Sequence, residues 1–94
     1  MAKYSVNLSR IAAGTMQGWS GTVVKQREPS TLHRNTLSTD ETILRNNKAQ
    51  ALADINEKLA QHNVNFTDDE VIWTNTQRRL TSQMELTNEL NAVV

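Results

Sequence analysis

Tyr4, Val6 and Leu8 alternate with Lys3, Ser5, Asn7 and Ser9 near the start of the chain. That period of two predicts a strand with one apolar face. A second short β-like run follows at Thr22-Val23-Val24-Lys25-Gln26. Between them, Arg10 to Gly21 reads either as a short helix over Ile11-Ala12-Ala13 or as a glycine-rich loop. The two runs either pair as a hairpin with a long connection or each add to the sheet of a neighbouring chain. Residues 28–38 read as an irregular linker.

From Ser38 the period changes. Leu44, Ala51, Leu52, Ile55 and Leu59 make a stripe of helical spacing that predicts a first helix over about 39–62. Ser38 or Thr39 is its expected N-cap, Asp40 and Glu41 suit its first turn, and Asp54 and Lys58 are spaced as an i,i+4 pair. His62-Asn63 marks its end, with Asn63 as a left-handed cap. Thr67-Asp68-Asp69-Glu70 then has the form of a capping box, with Phe66 and Val71 placed as a hydrophobic staple. Ile72, Trp73, Leu80, Met84 and Leu90 continue as an apolar stripe, interrupted by Thr76, Gln83 and Thr87, with Arg78 and Arg79 on its flank. A second helix over about 67–91 is the expectation. Two helices joined by so short a turn must run antiparallel. The expected fold is therefore mainly α: a long antiparallel two-helix hairpin (about 39–62 and 67–91) preceded by an extended or short β-containing N-terminal arm.

Composition supports a division at the same place. All three glycines (Gly14, Gly18, Gly21) and the single proline (Pro29) precede residue 30, and none follows Ser38. Charge divides there as well. Residues 1–37 carry Lys3, Arg10, Lys25, Arg27 and Arg34 against Glu28 alone, while residues 38–94 hold the other nine acids against five cations. The zero net charge thus hides a basic front and an acidic back. The expected organisation is a basic arm or small β element with its linker over 1–37, then an acidic αα-hairpin over 38–94. Thr, Asn, Ser and Gln together supply 33 of the 94 residues. Such residues add little helix propensity, so packing must hold the elements in place. Two helices cannot enclose each other's faces, and Val71 and Leu86 project away from the Trp73–Leu80 line. The arm or a second subunit is therefore expected to cover the hairpin.

Several chemistries fall away. With no cysteine, disulfide scaffolds, thiolate zinc sites and thiol catalysis are excluded. No apolar stretch is long enough to span a bilayer, and Met1-Ala2-Lys3-Tyr4-Ser5 lacks the apolar core of a secretory signal peptide. A cytoplasmic or virion-associated location is expected. No phosphate-binding glycine motif occurs. Asp68-Asp69-Glu70 lacks the alternating ligands and turn glycine of a calcium loop. His62 suits a helix C-terminus and His33 an exposed linker, so no metal, cofactor or catalytic residue is expected.

What remains is contact. Tyr4, Val6, Leu8 and Trp19 are the candidate apolar docking residues, with Arg27 and Arg34 for charge. The expected protein is non-enzymatic. It oligomerises with itself or docks on a protein partner through its basic arm and apolar hairpin face, as in a virion, another large assembly or a phage-encoded inhibitor. The alternative is a nucleic-acid-binding accessory protein that uses Lys25, Arg27, His33 and Arg34 on phosphates.

Overall fold

Gly14 turns the chain back on itself. Its φ of +59° lies in the left-handed region open to glycine. With Thr15 it forms the two-residue connection of a hairpin between β1 (Lys3–Ala13) and β2 (Met16–Gln26). Glycine at the first central position is the mark of a type II′ turn, whose twist suits the strands it joins. Pairing is unbroken from Ala13↔Met16 to Lys3↔Gln26. The structure, a computed structural model, describes residues 3–26 and 36–93.

Around this hairpin the remaining strands assemble on both sides. β3 (Thr36–Glu41) lies antiparallel on β2, β4 (Glu70–Trp73) runs parallel to β1, and β5 (Arg78–Leu80) returns antiparallel to β4. The result is one five-stranded mixed sheet of order β3-β2-β1-β4-β5. Two helices, α1 (Lys48–Gln61) and α2 (Gln83–Asn91), complete the elements of the described residues. A single core joins the layers. Tyr4, Val6, Leu8, Val23, Val71, Trp73 and Leu80 of the sheet meet Ala51, Leu52, Ile55, Leu59, Leu86 and Leu90 of the helices.

The expected αα-hairpin is therefore corrected: the chain is a two-layer mix of sheet and helix, and its helices span 14 and 9 residues. Each half of the expectation failed for a physical reason. In the first, residues 36–41 are rich in Thr and Ser, which fit a pleated strand at least as well as a helix, and β2 offers them a free edge. The helix starts only where the Asn47 side chain accepts the Ala49 amide at 2.7 Å. In the second, Val71-Ile72-Trp73 is β-branched and aromatic, and β1 presents it with a parallel partner over Lys3–Val6. Thr67 caps no helix. Asn65 organises a single turn there instead, taking the Thr67 amide at 2.9 Å, while the carboxylates of Asp68 and Asp69 fold back on Asn65. The cap in use is Ser82, whose hydroxyl accepts the Glu85 amide, while the Glu85 carboxylate reaches back to the Thr81 amide.

Absence of glycine and proline after Ser38 did not keep the chain helical. Asn63 (φ 55°) ends α1, as its position suggested, and Gln77 (φ 56°) closes the β4–β5 connection. The composition boundary at 37/38 falls within β3, and strands from both halves interleave in the sheet.

Two glycines allow close approach. At Gly21, an added Cβ would come within 3.0 Å of both Ile55 Cγ1 and Cδ1, so α1 rests directly on β2 at that point. At Gly18, a Cβ would come within 3.0 Å of the Arg45 carbonyl oxygen. Trp19 and Arg45 exchange backbone hydrogen bonds of 2.7 and 2.8 Å beside it. Thr42, buried between these contacts, donates its amide to the Gly21 carbonyl at 2.9 Å and accepts the Gly21 amide on its hydroxyl at 2.7 Å.

Candidate functional site

The hairpin outruns its cover. β4 pairs with β1 only over Lys3–Val6, and β3 pairs with β2 only from Thr22 onward. Beyond Arg10 and Trp19 the two strands continue alone through three further pairs to the Gly14-Thr15 turn. At about 3.3 Å per residue this overhang reaches roughly 12 Å. Ala12, Ala13 and Met16 on it are exposed, Met16 at 58%.

One edge of β1 is open along its outer half. The Val6 carbonyl accepts the Thr74 amide at 3.0 Å on the β4 side. By the two-residue alternation of a strand, the N–H and C=O groups of Leu8, Arg10 and Ala12 face the same way. Among the described residues no backbone group pairs with them on that side.

Beneath the overhang, at the N-terminal end of α1, lies an open concavity of about 250 Å³. It is lined by Arg10, Ile11, Ala12, Gln17, Gly18, Trp19 and Asn46. Arg10 and Trp19 are direct cross-strand partners. The Lys48 ammonium sits 5.5 Å from the Trp19 ring centre. It is held there by the carbonyls of Asn91 (2.6 Å) and Val93, which ties the end of α2 to the start of α1. No carboxylate lines the concavity.

Two other arginines have their charges compensated. Arg45 meets Asp54 through two hydrogen bonds of 2.7 and 3.2 Å, and the Asp54 carboxylate holds its guanidinium above the ordinary arginine value. Arg78 pairs with Glu85 at 3.1 Å and Glu89 at 2.9 Å. Glu85 lies below the ordinary glutamate value, first because the Thr81 hydroxyl and amide both donate to it, and then because Arg78 is near. Arg10 makes no ion pair among the described residues.

The sequence candidates fall in three places. Tyr4, Val6 and Leu8 are buried in the protein's own core. Trp19 is half-buried at the rim of the concavity, and Lys25 lies over the Tyr4 ring at 5.9 Å. Arg27, His33 and Arg34 lie outside the described residues. His62 caps α1, its ring 5.8 Å from that of Tyr4. Sequence reasoning missed Arg10, Gln17, Asn46 and Lys48. A signal for the first two was present: read as a two-residue turn, Gly14-Thr15 places Arg10 opposite Trp19 and Gln17 opposite Ala12.

Two smaller concavities lie elsewhere among the described residues. One, about 170 Å³, mixes Glu41, Asp54 and Glu57 with Arg45 and Lys58, so its charges compensate internally. The other, about 190 Å³, is lined by Asn56, Leu59, Ala60, Val64, Phe66 and Gln83, and the buried Asn56 Oδ1 has no hydrogen-bond partner. Among the described residues no three His, Asp or Glu side chains converge as a metal site, and no helix is long and apolar enough to cross a membrane. Compared with protein-family models, with curated proteins and with solved structures, the chain matches none, so its surface has to be read from its own chemistry.

Proposed function

We propose that this is a non-enzymatic interaction protein that self-associates by strand addition along the outer half of β1. The observation that carries the reading is the open edge at Leu8, Arg10 and Ala12. An unpaired edge is a template for another strand, and proteins that stay apart usually blunt it with a proline, a bulge or several charges. Here the outer half has no proline, keeps unbroken pairing with β2 and carries Arg10 as its single charge. A second copy brought up antiparallel to β1 would continue the sheet through both molecules. The apolar tip residues Ala13 and Met16 would then lose exposure in the same event.

This differs from docking by Tyr4, Val6 and Leu8 side chains, which the core already occupies. Backbone groups do the pairing, and the side chains of β1 set its register. Size-exclusion chromatography with light scattering tests it. The wild type should give a defined multiple of 10.6 kDa. Ala12→Pro should reduce it to a monomer with unchanged circular dichroism, because the lost N–H faces the open edge and not β2. A wild type that stays monomeric at 100 μM and low salt would refute the reading, as would an Ala12→Pro variant of unchanged mass.

A further inference from the structure

A different feature points to a ligand, independently of self-association. The concavity under the overhang gathers hydrogen-bond donors that nothing in the fold uses. Arg10, Gln17, Asn46 and Trp19, each of which carries a side-chain donor, all line it. None of these four makes a side-chain hydrogen bond among the described residues. Elsewhere, several polar side chains of the same types are engaged: Arg45 with Asp54, Arg78 with Glu85, Asn47 with Ala49, and Gln77 with the Thr74 carbonyl.

Charge agrees with this. The whole hairpin from Lys3 to Gln26 holds Lys3, Arg10 and Lys25 and not one acid. The first turn of α1 carries no acid either. Lys48 adds a fixed positive charge beside Trp19. A site rich in donors, positive and free of carboxylates selects an anion with many acceptor oxygens. The exposed part of Trp19, which is half-buried against the core, and the two side-chain amides add contacts for a hydrogen-bonding ring.

We propose that this concavity binds the phosphate and base of a nucleotide. Arg10 contacts the phosphate, Trp19 lies against the base, and Gln17 and Asn46 reach its polar edge. The same chemistry is offered by a free nucleotide and by a unit of a single-stranded nucleic acid. Lys25 favours the strand. It lies at the far end of the same acid-free hairpin and on the same face as Trp19, six residues along β2, about 20 Å away at strand rise. A chain of several nucleotides would span that distance.

The test follows Trp19 fluorescence and the anisotropy of a fluorescein-labelled ten-nucleotide single strand at 50 mM salt, with AMP in a parallel titration. The expected result is saturable quenching with the strand. Arg10→Gln, an exposed change outside the core, should weaken binding about tenfold, the loss of one charge-assisted contact. Lys25→Gln should weaken the strand but leave any AMP response unchanged, and that separates the two sources. Binding of the strand should fall steeply on raising salt to 200 mM. Absence of quenching by both probes would overturn the proposal. So would an Arg10→Gln variant that binds as the wild type does. Equal competition by a poly-glutamate peptide would also overturn it, since that marks a site for acidic protein segments.

Discussion

Replacing Gly21 by alanine tests the packing of the two layers at their closest point. The new Cβ would lie within 3.0 Å of two carbons of Ile55, against an ordinary carbon–carbon contact of about 3.5–4.0 Å. Ile55 is fully buried, so it cannot swing into solvent. Either its side chain leaves its rotamer or α1 lifts from β2. Overpacking of this kind costs about 1–3 kcal/mol. The backbone of Gly21 is not in a glycine-only conformation, so alanine also recovers about 0.5–1 kcal/mol of strand preference. The steric cost wins, leaving roughly 1–2 kcal/mol of destabilisation and a fall in Tm of about 5–15 °C for a chain of this size. Thermal and urea unfolding followed by circular dichroism measure it. The sharper assay is a double-mutant cycle with Ile55→Ala, which alone creates a cavity worth about 2–5 kcal/mol. In the double variant the alanine methyl enters the vacated space. The pair should then be more stable than the sum of its parts by about 1 kcal/mol or more. Additivity within about 0.5 kcal/mol, or a Gly21→Ala protein as stable as the wild type, would refute close packing at this point.

Thr42→Val keeps the shape of a buried side chain but removes the acceptor of the Gly21 amide. A loss of about 1–3 kcal/mol in urea unfolding is expected, and none would mean that the amide finds another partner. Asn47→Ala removes the cap of α1 and should cost about 1 kcal/mol with a small loss of helical signal, which Asn47→Ser should largely restore. Glu85 carries a pH signature. Its folded-state pKa is depressed, so the stability it adds is present above the ordinary glutamate range and fades as pH falls through and below it. The gap in urea midpoint between wild type and Glu85→Gln should therefore be largest near neutral pH and close in acid, and a gap independent of pH would contradict the Thr81–Glu85 contacts.

Much of the core was legible before any pairing was known. Tyr4, Val6 and Leu8 could be read by their alternation. Ala51, Leu52, Ile55 and Leu59 could be read by their helical spacing, and the same residues are buried. These are signals within one element, where the burial of each residue follows from its neighbours a few positions away. Met84 shows how little an apolar side chain says without that context: it lies on the apolar stripe, and it is 74% exposed. Of the candidate site only Trp19 was visible in advance. Arg10 meets it through strand register, and Asn46 and Lys48 come from a segment more than 25 residues further along.

By itself, then, the sequence determined which residues are apolar, which face of α1 is buried and where that helix stops, and that β1 has one buried face. It also held a turn at Gly14-Thr15 and a helix cap at Ser82. Only the tertiary structure decided that Val71-Ile72-Trp73 is a strand. A run of three apolar residues satisfies helix and strand alike over so short a span, and Thr67 and Ser82 both offer the pattern of a helix start. The choice was made by β1, whose backbone beside Lys3–Val6 needed a partner and found one 67 residues away in the chain. Hydrogen bonds of that kind leave no trace in local spacing, because the donor and the acceptor meet only after the chain has folded.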